Sequence, residues 1–101
     1  MTTNQPEEGF SFQLEQCIVE TAAELADAQG IKYVTLANIA FGNKKDAGRR
    51  WRQIRGSKIQ KPQRLTIDDA ARLAAALGKE LPELVFLANE RLKAGWEYIP
   101  R

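Results

Sequence analysis

The side chains of this chain best suited to chemistry are its cations, and they are clustered. Nine of its fifteen basic residues (Lys44, Lys45, Arg49, Arg50, Arg52, Arg55, Lys58, Lys61 and Arg64) fall within 21 residues. Asp46 is the only acid among them, so this stretch carries +8, the other 80 residues −6 and the whole chain +2. Ordinary surface solvation is served by mixed signs. A concentrated positive field on a nearly neutral chain suits a polyanion instead. Duplex nucleic acid carries a charge about every 1.7 Å along its axis and rewards clustered cations by counterion release.

The spacing inside the stretch sorts these residues. If 46–55 is helical, at about 100° per residue, Ala47, Trp51 and Ile54 fall within about 60° of one another and define a buried side. Arg49, Arg52 and Gln53 then point the opposite way, with Lys45 above them at the N-terminal end and Arg50 on the flank. A helix lying in a groove needs this separation, and the B-DNA major groove, about 12 Å wide, admits one such helix. Arg to guanine and Gln to adenine are the favoured bidentate pairings, each worth roughly 1–3 kcal/mol of discrimination. Arg55, Lys58, Lys61 and Arg64 are expected on phosphates, which hold position without reading sequence, and Gln60 or Gln63 could add neutral hydrogen bonds. Gly48 has two readings: close approach of the helix to a duplex, or merely a poor helix former costing about 1 kcal/mol. Trp51 resembles a base-stacking platform in type, but its phase with Ala47 and Ile54 places it in the core.

Other chemistries find little support. The chain has no histidine, the commonest general base and metal ligand, and a single cysteine. Cys17 lies on an apolar stripe and reads as a small buried filler. Alone it forms no internal disulfide, which suggests a reducing compartment. Asp68 and Asp69 open a helix, where they favour its positive end, a plainer role than acid catalysis. No phosphate-cradling glycine loop and no metal-ligand spacing occurs. The chain is therefore not expected to be an enzyme, and no cofactor, metal or small-molecule substrate is expected. The opening MTTNQPEEGF is polar and acidic, unlike a signal peptide, and no apolar run approaches the ~20 residues of a membrane span. The expected location is the cytoplasm, at the nucleoid, with no membrane partner.

The elements that must position these residues all read as helices. At 101 residues the chain suffices for a single domain, taken as 12–93, with 1–11 a flexible N-terminal tail and 94–101 a C-terminal extension. A first helix over 12–29 sets Leu14, Cys17, Ile18, Thr21, Ala22, Leu25 and Ala26 on one side and closes at Gly30. A short second helix over 33–41 turns Leu36, Ala37, Ile39 and Ala40 inward, and Gly42 and Asn43 end it. The third runs from Asp46, a candidate N-cap, to Arg55, stopped by Gly56. The segment 57–64 is a polar loop. Thr66 with Asp69 approaches a capping box, although Asp is shorter than the usual Glu. The fourth helix, 67–77, is expected to bury Ile67, Ala70, Ala71, Ala74 and Leu77 before Gly78. A fifth starts near Leu81 and Pro82 and continues through Leu84, Val85, Ala88 and Leu92 towards Trp96.

In this arrangement the chain resembles the phage-repressor and Cro-like helix-turn-helix domains, the XRE family. Gly30-Ile31 followed by Leu36-Ala37 is similar to the family's end of helix 1 and the Leu-Ala inside its helix 2. Trp51 and Ile54 with Gly56 are similar to the buried positions and closing glycine of its recognition helix. The segment 66–84, TIDDAARLAAALGKELPEL, matches its fourth helix, the Ala-Leu-Gly ending and the opening of the fifth. The chain departs from the pattern in three places: Gly42 comes one residue late, Ile-Arg-Gly replaces Ile-Glu-x-Gly, and about five extra residues fall in the basic loop. The resemblance spans about residues 14 to 88. It implies a compact all-α, five-helix, lambda-repressor-like domain whose helices 2 and 3 form the helix-turn-helix. It further implies base contacts from the start of helix 3, here Lys44, Lys45, Gly48 and Arg49, with Arg52 and Gln53 further along. Lys32 and Tyr33, at the opening of helix 2, correspond to a backbone-phosphate contact, and Arg50 joins the phosphate group from its flank.

The C-terminal helix stays apolar beyond the usual domain end. Phe86 and Leu87 lie off the stripe of Leu84, Val85 and Ala88, and a helix apolar on more than one side needs more than one partner. One reading makes Phe86, Leu87, Leu92 and Trp96 a homodimer interface. The other folds the C-terminal arm back on the chain's own first helix. The functional expectation is a sequence-specific double-stranded DNA-binding regulator, a homodimeric repressor of phage or bacterial type. The alternatives are a DNA-binding antitoxin or accessory subunit that docks a second protein chain, or shape-directed RNA binding.

Overall fold

The computed structural model describes residues 9–42 and 46–100, and among them all regular structure is helical. The five helices are α1 (Phe10–Ala28), α2 (Tyr33–Ala40), α3 (Ala47–Arg55), α4 (Ile67–Ala76) and α5 (Leu81–Lys93). The all-α, five-helix expectation holds. α1 begins at Phe10, two residues earlier than the sequence suggested, and the remainder of the expected tail, 1–8, lies outside the described residues.

α1 is the central element. It packs along α5 and also touches α2, α3 and α4. A helix with partners on several sides must be apolar on several sides. Accordingly, Phe12, Val19 and Ala23 are buried along with the expected Cys17, Ile18, Ala22 and Ala26. Gln16, also buried, donates from Nε2 to the Ile54 carbonyl (3.0 Å), which satisfies a carbonyl in the last turn of α3 and ties that turn to α1. The Cys17 thiol meets the Ala88 carbonyl of α5 at 3.2 Å, and burial pushes its pKa up. It is a packed filler.

α1, α4 and α5 end in the same way. The amide two residues past the C-cap donates to the carbonyl five residues earlier, as Ile31 to Ala26, Lys79 to Ala74 and Trp96 to Arg91. This Schellman closure needs a left-handed residue, supplied by Gly30, Gly78 and Gly95. At Gly95 it also sets the path of the C-terminal arm. The chain turns back so that Trp96 packs on the core, the Tyr98 ring meets Phe12 edge-on at 5.0 Å, and the Tyr98 amide donates to Gln13 Oε1 (3.0 Å).

Three local expectations are corrected. In α4 the buried stripe is Ala70, Leu73, Ala74 and Leu77, while Ile67 is 79% exposed and Ala71 only half-buried. Ile67 is the first helical residue, and the cap at Thr66 sets its phase outward. That cap is a complete box despite the short aspartate: Asp69 N donates to Thr66 Oγ1 (2.9 Å) and Thr66 N to Asp69 Oδ2 (3.0 Å). Such a cap contributes about 1 kcal/mol. In α2 Leu36, Ala37 and Ala40 are not joined by Ile39, which is 56% exposed; Phe41, just past the helix, fills the inner side instead.

Candidate nucleic-acid interface

α3 separates its residues by face as its periodicity predicts. Ala47, Trp51 and Ile54 are buried, Arg49 and Arg52 are exposed, and Gln53 is half-buried. Asp46 occupies the N-cap position, but its side chain makes no capping hydrogen bond. Lys44 and Lys45 lie outside the described residues. Gly48 is half-buried, and a methyl there would meet only the tip of Arg52, 3.4 Å away. No packing within the protein requires a glycine at that position.

Beside α3 lies a groove of about 700 Å³. Gly48, Trp51, Arg52 and Arg55 of α3 line it together with Tyr33 and Val34 from the start of α2 and Gly56, Ser57 and Gln60 from the following loop. The Arg55 guanidinium lies over the rings of Tyr33 (4.8 Å) and Trp51 (5.4 Å), which are themselves 5.5 Å apart. Cation–π contact of this kind holds an arginine in place without removing its charge. Tyr33 also donates to Asp27 Oδ2 (3.3 Å), and Lys32 beside it is exposed. The start of α2, the C-terminal half of α3 and the basic loop are thus brought together around one concave surface.

The loop from Gly56 to Leu65 is tied at both ends. Gln63 N donates to the Gln53 carbonyl and Ser57 N to the Gln60 carbonyl, both at 2.8 Å. Gly56, at φ +70°, lets Pro62 approach so closely that a methyl group would sit 2.7 Å from the proline nitrogen. Lys58 and Lys61 are exposed on this loop.

Arg50 and Arg64, both expected on phosphates, are paired with acids inside the protein. Arg50 pairs with Asp69 and donates to Gln63 Oε1 (3.0 Å) and the Arg64 carbonyl (3.2 Å), clamping α3 to the loop and to the start of α4. Burial pushes the Asp69 carboxyl up, but hydrogen bonds from Arg50 and Thr66 outweigh it and hold the carboxyl below its ordinary value. Arg64 reaches the Glu15 carboxylate of α1 through Nε and Nη2, at 3.0 and 2.7 Å, and the Leu65 amide donates to the same group (2.9 Å). Sequence spacing could not reveal these pairs, since Asp69 lies 19 residues from Arg50 and Glu15 lies 49 from Arg64.

In the C-terminal part of the chain, Leu92 and Trp96 pack against the chain's own core, whereas Phe86 is 61% exposed and Leu87 half-buried. Among the described residues no group of acidic, cysteine or histidine side chains could hold a metal ion, and no helix is long and apolar enough to cross a membrane. Comparison of the chain with known protein families, with characterised proteins and with solved structures finds no match.

Proposed function

We propose that this chain is a helix-turn-helix protein of the phage-repressor type that reads double-stranded DNA with α3. The observation that carries the reading is the division of α3 itself. Its apolar face is anchored by Ala47, Trp51 and Ile54, and its outer face presents Arg49 and Arg52 within a segment of +8 charge. In this reading the positive field draws the protein to duplex and α3 enters the major groove. Arg49, Arg52 and Gln53, with Lys44 and Lys45 ahead of them, meet base edges. Lys32, Arg55, Lys58 and Lys61 hold phosphates around the groove. The open face of Gly48 lets the helix backbone come near the duplex. Two copies, associated through Phe86 and Leu87, would read half-sites about one helical turn apart, as transcriptional regulators of this type do.

Binding-site selection from a random duplex library, with wild type and Arg49→Ala compared, tests the reading. A palindrome-like motif that Arg49→Ala loosens at particular bases is the expected result. Uniform, salt-sensitive binding to any duplex, or equal competition by unrelated RNA, would overturn sequence reading by α3.

A further inference from the structure

The most exposed large apolar side chain among the described residues is also the one set among cations. Ile59 is 97% exposed, with Lys58 before it and Gln60 and Lys61 after it, all exposed as well. A single apolar side chain on a protein surface means little by itself, and Val34 and Ile39 are of that kind. Ile59 differs because its support is built. Its amide donates to Ser57 Oγ (3.3 Å), the Ser57 amide to the Gln60 carbonyl (2.8 Å), and the Gln63 amide to the Gln53 carbonyl of α3 (2.8 Å). The turn that carries Ile59 also supplies Ser57 and Gln60 to the groove shared with Arg52 and Arg55. A β-branched side chain, stiff about χ1, is thus held out between two lysines on the loop that leaves the C-terminal end of α3.

We propose that Ile59 is an apolar wedge that the loop inserts into the minor groove of bound duplex DNA, adjacent to the major groove occupied by α3. The inference rests on the duplex reading above and adds a second point of contact to it. Apolar side chains of this size enter minor grooves and part base steps, most easily at flexible pyrimidine–purine steps. Lys58 and Lys61 then meet the phosphates on either side and hold the wedge in register. Cations around an exposed apolar residue would also suit a lipid surface. Duplex is favoured because the same loop walls the groove that holds Arg52 and Arg55, so both sets of cations serve one ligand.

The test uses a duplex carrying the selected motif, or a mixed-sequence duplex where none is selected, with 2-aminopurine placed at pyrimidine–purine steps. Wild-type binding should raise the 2-aminopurine fluorescence at one step. Ile59→Ala should fold as wild type does, bind roughly tenfold more weakly and lose the fluorescence rise. Lys58→Ala should keep the rise and reduce the slope of log affinity against log salt by about 1. Wild-type affinity and fluorescence in Ile59→Ala would overturn the wedge and leave duplex reading by α3 standing. Failure of the wild type to bind any duplex, or preference for phosphatidylserine vesicles over duplex, would overturn both.

Discussion

Arg49 and Arg50 are neighbours on α3 with the same chemistry and different surroundings. Arg49 faces solvent, while Arg50 holds Asp69, Gln63 and the Arg64 carbonyl. Removing the Arg50 guanidinium leaves a largely buried carboxylate short of its partner, whereas removing that of Arg49 leaves nothing unpaired. Arg50→Met is therefore expected to lose roughly 2 kcal/mol of stability, and Arg49→Ala to stay within about 0.5 kcal/mol of wild type. Urea unfolding of the two variants checks this; equal stabilities would mean that water replaces Arg50 at Asp69. The same pair sets a pH dependence. The folded-state pKa of Asp69 is depressed, so its contribution is present above the unfolded value, about 3.9, and is lost as pH falls through the lower folded value. Stability measured from pH 7 downward should fall more steeply below about pH 4 in wild type than in Asp69→Asn. Parallel curves would show that the Arg50 contact does not favour the carboxylate form.

Glycine has two different uses in the basic element. At Gly56 both the positive φ and the contact with Pro62 demand it, so Gly56→Ala must shift the loop and is expected to cost more than about 1 kcal/mol. At Gly48 the helix has room for a methyl group, and Gly48→Ala is expected to stabilise α3 by up to about 1 kcal/mol while weakening duplex binding. Thermal melts paired with binding isotherms check both, and a Gly48→Ala protein that binds as tightly as wild type would remove the close-approach role. What was legible at this scale follows from range. The buried side of α3 could be derived because Ala47, Trp51 and Ile54 repeat locally, and the glycine stops because they act within one turn. The phase of α4 is not legible in the sequence because Ile67 is bulky and apolar, yet its position beside the Thr66 cap turns it outward. Arg50 and Arg64 read like any other cation, since their acids arrive only when α4 and α1 pack beside them. Ile59 carries no signal in the sequence because a lone isoleucine in a polar loop has no period; only the hydrogen bonds that fix the turn distinguish it.

For the molecule as a whole, the charge available to a polyanion is smaller than composition suggests. Of the nine cations between positions 44 and 64, Arg50 and Arg64 are engaged by Asp69 and Glu15, so at most seven of these, and at most eight cations with Lys32, meet phosphates and bases. Each phosphate contact contributes about −0.9 to the slope of log affinity against log salt, so one protein copy on a duplex should give a slope no steeper than about −7. A dimer bound as one unit should approach twice that value. Sedimentation equilibrium at micromolar protein, alone and with duplex, fixes the number of copies to which the slope refers. Neither Leu92 nor Trp96 is free to supply the interface without lifting off the core, so association would rely on Phe86 and the exposed part of Leu87. A Phe86→Ser variant is then expected to bind as a monomer with about half the wild-type slope, while Arg64→Ala should leave the slope unchanged. A slope lowered by Arg64→Ala would mean that Arg64 exchanges Glu15 for a phosphate when DNA arrives, and the limit of eight contacts would rise accordingly.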